Sequence, residues 1–142
     1  MSRANYSEDL ENWDLIRWRG QVASAIRGKR GQKFLTELLE ALDAMPEKRL
    51  IRDDLQNEDG EVCAIGALGL KRGINLQKLD PEDPDQVAAA FDIAEQLSRE
   101  VVYMNDEYCD RETPEERWKG MRAWVAKQIT STPADATLDT VS

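Results

Sequence analysis

The segment QKFLTELLEALDAM, residues 32–45, sets Phe34, Leu35, Leu38, Leu39, Leu42 and Met45 three or four residues apart. An α-helix brings that spacing to one face, and a stripe this wide has to be covered. Each large apolar side chain withdrawn from water contributes about 1.5–3 kcal/mol. Pro46 lacks the N–H that would continue the helix and ends it. A chain built on such a stripe needs other helices to pack against it.

The rest of the chain supplies them. A helix is expected over 10–27, with Leu15, Val22 and Ile26 on one side, Trp18 near that face and Gly20 inside it. GKRG, 28–31, reads as a break, so this helix and 32–44 form an antiparallel hairpin. AIGALGLKRG reads as a short helix closed by Gly73. Asp83 and Pro84 mark another start, followed by one continuous stripe through Val87, Phe91, Ala94, Leu97, Val101 and Met104. Thr113 and Glu116 have capping-box spacing with Pro114 between them, and Trp118, Met121, Val125 and Ile129 share the face of the helix that follows. Between Met45 and Cys63 the pattern changes. Leu50-Ile51, the Asp59-Gly60 turn signal and Glu61-Val62-Cys63 suggest a small β-hairpin.

The architecture expected is mainly α (α+β): a single domain of about five helices over 10–129 with a small central β-hairpin. Residues 1–9 are expected to be flexible and 130–142 a disordered tail, since TSTPADATLDTVS has almost no large apolar residue. No internal repeat is visible. The 142 residues suffice for one ordinary core. No run approaches the apolar length of a membrane span, and the N-terminus has no signal-peptide core, so a cytoplasmic protein that avoids membranes is expected.

Composition removes several chemistries. The chain has no histidine, which excludes Ser-His-Asp and Cys-His catalysis and the commonest zinc ligand. Its two cysteines, Cys63 and Cys109, are far apart, and neither belongs to a C-x-x-C pair. Cys63 sits among Val62, Ala64 and Ile65, where a thiol packs as a small hydrophobe. Cys109, in NDEYCDRE, is expected to be accessible. Gly66 and Gly69 are expected to admit a close neighbour to that helix. LQNEDGE places Asn57, Asp59 and Gly60 as in a calcium loop, but Leu55 stands at the first ligand position and cannot coordinate. GKRGQ lacks the Gly-Lys-Ser/Thr ending of a phosphate loop. No metal or cofactor is expected.

Charge is uneven. Residues 1–52 carry ten Lys/Arg against eight Asp/Glu, and 53–142 carry nine against twenty; the total is −9. Arg17, Arg19, Arg27, Lys29, Arg30 and Lys33 form a stretch without an acid, and Trp18 lies among them. Cations with an aromatic could hold a nucleic-acid backbone and stack on a base. The same stretch could instead pair internally with DPEDPD or meet an acidic partner protein. The acidic whole weighs against nucleic acid.

RWRGQVASAIRGKRGQKFLTELLEALDAMPEKRLI, DGEVCAIGALGLKRGI, VVYMND and ETPEERWKGMRAWV, in that order, resemble small uncharacterised proteins of bacterial genomes and prophages. More remotely, the C-A-I-G-A-L block followed by an Asn-Asp pair is similar to a broader set of domains of unknown function. The resemblance spans about 13–129 and carries no catalytic signature. It implies a phage-type protein that binds and modulates another macromolecule. Asn105 and Asp106 gain interest from it, and one of them is expected to bond backbone near Cys63 or Gly60.

The functional expectation is a non-enzymatic protein that binds a partner protein, such as an inhibitor of a host system. Its tentative contact residues are Arg17, Trp18, Arg19, Arg27, Lys29, Arg30 and Lys33. Gly60, Cys63, Gly66, Asn105 and Asp106 are assigned structural roles. The alternatives are nucleic-acid binding through 17–33 and an enzyme built around Cys63 and Asn105-Asp106.

Overall fold

A computed structural model describes residues 12–107 and 113–129. They form six α-helices: α1 (Asn12–Arg27), α2 (Lys29–Ala44), α3 (Ala64–Arg72), α4 (Pro84–Phe91), α5 (Glu95–Asp106) and α6 (Pro114–Gln128), with a 3₁₀ turn at Leu76–Lys78. The expected flexible N-terminus 1–9, the tail 130–142 and Cys109 lie outside the described residues.

The stripe of α2 organises the core. Phe34, Leu35, Leu38 and Leu42 are essentially inaccessible, and α2 packs against α1, α3 and α6. α5 lies against α1, α3, α4 and α6 and adds Leu97, Val101 and Met104. Phe34 meets Phe91 edge-on, with centroids 6.4 Å apart and planes at 85°. Met121 and Val125 anchor α6.

Local chemistry sets the ends. Gly73 closes α3 at φ 74°, in the left-handed region where glycine carries no Cβ penalty. At α6 the Thr113 side chain accepts the Glu116 N–H, and the Glu116 carboxylate accepts the Thr113 N–H, each at 3.1 Å. Asp83 caps α4 by accepting the Gln86 N–H, and Pro84 occupies the first turn.

Three expectations need correction. The central β-hairpin is not formed, and the fold among the described residues is helical, with no strand. An isolated antiparallel bridge between Gln56 and Val62 stands in the hairpin's place. The reason lies in Leu50, Leu55 and Val62, all of which enter the core. Asp53 turns left-handed between them (φ 67°), so the chain cannot keep the two-residue alternation of a strand. Second, the continuous helix expected after Asp83 divides into α4 and α5. Asp92 adopts φ 56°, and the Ile93 N–H reaches back to the Ala88 carbonyl at 3.1 Å while Ile93 itself is buried. This is a Schellman ending, with an aspartate where glycine is usual. Third, the break at 28–31 shrinks to Gly28, because α2 already starts at Lys29. Gly31 packs on the last turn of α1, and a Cβ there would overlap the Ala25 carbonyl, whose carbon is 3.0 Å away.

Candidate functional site

The conspicuous concavity lies where the end of α2, the turn at 58–62 and the outer face of α3 meet. Ala41, Ala44, Met45, Val62, Ala67 and Leu70 line a groove of about 520 Å³, with Pro46 and Gly60 at its edges. That volume falls within the range of natural ligand sites. Its apolar character follows from the helices. Buried Ala41, exposed Ala44 and half-buried Met45 carry the apolar residues of α2 to its C-terminus, and Ala67, Leu70 and Lys71 recur on one face of α3. Leu70 is 50% exposed, unusual for a leucine in so well packed a helix.

The wall at 58–62 is fixed by Asn57. Its side-chain oxygen accepts the N–H of Asp59 at 3.0 Å and of Glu61 at 2.9 Å, while its main-chain carbonyl accepts the Gly60 N–H at 3.1 Å. Its amide donates to the Glu61 carboxylate at 3.0 Å. Gly60 takes φ 82°, a turn position that suits glycine. On the rim, Arg49 pairs with Glu61 at 3.4 Å and Lys71 with Glu40 at 3.3 Å. Glu47 and Asp59 line the groove and make no ion pair among the described residues.

The basic segment is divided among several tasks. Arg19 forms a two-pronged ion pair with buried Glu100, at 2.8 and 3.0 Å, fastening α1 to α5. Trp18 is stacked under the Arg99 guanidinium, 5.4 Å from the ring centroid. Arg30 pairs with Asp92 at 3.2 Å and Arg17 with Asp14 at 3.8 Å. Among the described residues the acids paired with this segment are Asp14, Asp92 and Glu100, and none of these pairs reaches 80–85. Arg27, Lys29 and Lys33 are exposed and make no ion pair among the described residues; Lys29 and Lys33, four apart on α2, are neighbours on one face, and Arg30 borders both of the cavities they line. Lys29 borders a cleft with Gln21 and Gln96, and Lys33 borders a small cavity with Phe34 and Arg72, whereas Arg27 lines neither.

Cys63, Asn105 and Asp106 come together, as the cap of α3. The Cys63 sulfur, 1% exposed, accepts the Gly66 N–H at 3.4 Å. The Asn105 oxygen accepts the Ala64 N–H at 3.1 Å, and its amide donates to the Ile51 carbonyl and the Asp106 carboxylate. Asp106 in turn accepts the Asp53 N–H at 3.2 Å. Gly66 has no room for a side chain, since a Cβ would overlap the Leu55 carbonyl and come within 2.9 Å of Val62. Leu55, at the first position of the calcium-like loop, is buried in the core. Among the described residues no three His, Cys, Asp or Glu side chains are grouped to hold a metal ion. No helix among them is long and apolar enough to cross a membrane.

The groove was not found by sequence reasoning, because its walls come from segments about twenty residues apart. The signal present is small: alanines at 41 and 44 at the end of a leucine stripe, and Leu70 just beyond the small-residue run of α3. Comparison with protein-family models, curated proteins and solved structures finds no match to this chain.

Proposed function

We propose that this chain is a non-enzymatic binding module that docks a partner protein in the groove between α2 and α3 and modulates it. The supporting observation is an apolar groove of about 520 Å³, with a half-exposed leucine on its rim and a wall held by Asn57. An exposed apolar concavity rimmed by charge is the usual form of a protein-docking surface. The proposal moves the contact surface away from the basic segment, where Arg19 and Trp18 are engaged with α5.

A photo-crosslinking amino acid at position 70 tests it in a lysate of the source cells. The expected result is a discrete adduct at position 70. It is lost when Ala44→Trp fills the groove, and it is absent when the crosslinker sits at exposed position 126 of α6. Equal adducts at 70 and 126, or an adduct confined to position 29 in the basic segment, would overturn the reading.

A further inference from the structure

Resting on that reading, we infer that the occupant of the α2–α3 groove is a basic amphipathic helix of the partner, seated by apolar side chains and flanked by lysine or arginine. Three observations carry this. The first concerns backbone. A partner strand could be added only if the groove wall offered unpaired N–H and C=O groups. The N–H groups of Asp59, Gly60 and Glu61 are all taken by Asn57. The Gly60 carbonyl accepts the Gln56 side chain, and the Glu61 and Val62 carbonyls accept the N–H groups of Asn57 and Ile51. Pro46, just past the end of α2, has no N–H. On the turn wall, among the described residues, this leaves the Asp59 carbonyl and the Val62 N–H, too few for a strand edge, so the site favours a ligand that satisfies its own backbone, which a helix does.

The second concerns size. A dry cavity of roughly 150 Å³ holds one benzene-sized group. The groove, at about 520 Å³, has space on the order of three such groups. Apolar residues at i, i+3 or i+4, and i+7 of a helix supply that number along one face.

The third concerns charge. Arg49 and Lys71 are matched by Glu61 and Glu40, so the rim carboxylates without an ion pair among the described residues are Glu47 and Asp59. One follows α2 and the other lies in the turn at 58–62, and both line the groove. A partner helix with cations beside its apolar stripe complements both, whereas an acidic helix is repelled.

The probe is a fluorescent leucine–lysine amphipathic helical peptide, titrated against the full chain at physiological salt and followed by anisotropy. Its comparators are a leucine–glutamate counterpart and a leucine–lysine peptide interrupted by prolines. The leucine–lysine helix is expected to bind at least about tenfold more tightly than either comparator. Ala44→Trp and Leu70→Gln, both at exposed positions, should each abolish that binding. The double variant Glu47→Lys/Asp59→Lys should lose roughly tenfold and gain affinity for the leucine–glutamate peptide, as expected when two rim attractions become repulsions. Binding that survives both Ala44→Trp and Leu70→Gln would be general attraction to an acidic protein and would overturn the inference. Absence of binding, or equal binding of either comparator, would also overturn it. Crosslinking at position 70 separates the two levels. An adduct there without charge preference refutes the basic helix and leaves the docking groove standing, whereas loss of the adduct refutes both.

Discussion

The side-chain oxygen of Asn105, on the last turn of α5, accepts the main-chain N–H of Ala64, on the first turn of α3, across 41 residues of sequence. The same amide donates to Ile51 and Asp106, so one side chain joins two helices and the irregular link between Ala44 and Cys63. Asn105→Ala leaves a buried N–H and a buried carbonyl unpaired. The expected loss is about 1–3 kcal/mol, the cost of orphaned buried groups, read as a lower chemical-denaturation midpoint. An unchanged midpoint would show that the link is held by its leucines alone.

Three glycine-to-alanine substitutions should separate by sign. Gly66→Ala drives a methyl into the Leu55 carbonyl, and Gly31→Ala drives one into that of Ala25. Main chain cannot move aside as a flexible side-chain tip can, so each should destabilise by about 1–3 kcal/mol. Gly20, in α1, has nothing within 4 Å of an added Cβ. Gly20→Ala should stabilise by about 0.5–1 kcal/mol through helix propensity. Thermal melts of the three variants decide it.

The Arg122–Asp43 pair ties α6 to α2 through two hydrogen bonds, at 2.6 and 3.2 Å. The hydrogen bond from Arg122 holds the Asp43 carboxyl below the usual aspartate range, opposed by slight burial and reinforced by the charges of Arg122 and Lys48. A depressed folded-state pKa stabilises fully above the unfolded value, and that stabilisation fades as pH falls through the folded one. The stability difference between wild type and Asp43→Asn should therefore be greatest at neutral pH and narrow below about pH 4. Denaturation at a series of pH values measures it, and a difference that widened in acid would contradict this assignment.

Ser98 sits in α5 with no accessible surface, and its hydroxyl finds no hydrogen-bond partner among the described residues. Ser98→Ala removes the unpaired group at almost constant volume. It should be neutral or stabilising by up to about 2 kcal/mol. A clear loss of stability would mean that the hydroxyl is satisfied in solution.

Much of the helical frame was legible because its signals are local. The Thr113–Glu116 box, Gly73 and the Asp83-Pro84 start each act within one turn, and the leucines of α2 fix their own face. The Asn105 cap was expected in outline only through the resemblance, whose block order sets an Asn-Asp pair after C-A-I-G-A-L; the bond itself falls on Ala64, next to Cys63. The illegible parts depend on distant contacts. An unbroken apolar period cannot reveal that Asp92 turns left-handed, since that turn is favoured by the burial of Ile93. Leu50, Ile51 and Val62 resemble strand residues until the core draws Leu55 inward and disrupts their alternation. The groove is a property of two helices and a turn together, and no window of sequence contains it.

α1 places one side chain, Val22, fully in the interior among the described residues; Ala25 and Ile26 pack partly buried against the core, Trp18 stacks on Arg99, and the Arg19–Glu100 pair fastens the helix to α5. Its release would uncover less of the core than loss of α2 or α5, each of which buries several side chains. The domain is thus expected to have two levels of opening: a partial one, in which the first helix leaves as a unit, and the global one. In hydrogen exchange the amides of α1 should exchange well before those of α2, and Glu100→Gln should accelerate the first set while barely touching the second. The first helix is then a separately adjustable element, whose detachment can be tuned by one buried carboxylate without loosening the groove at the C-terminal end of α2.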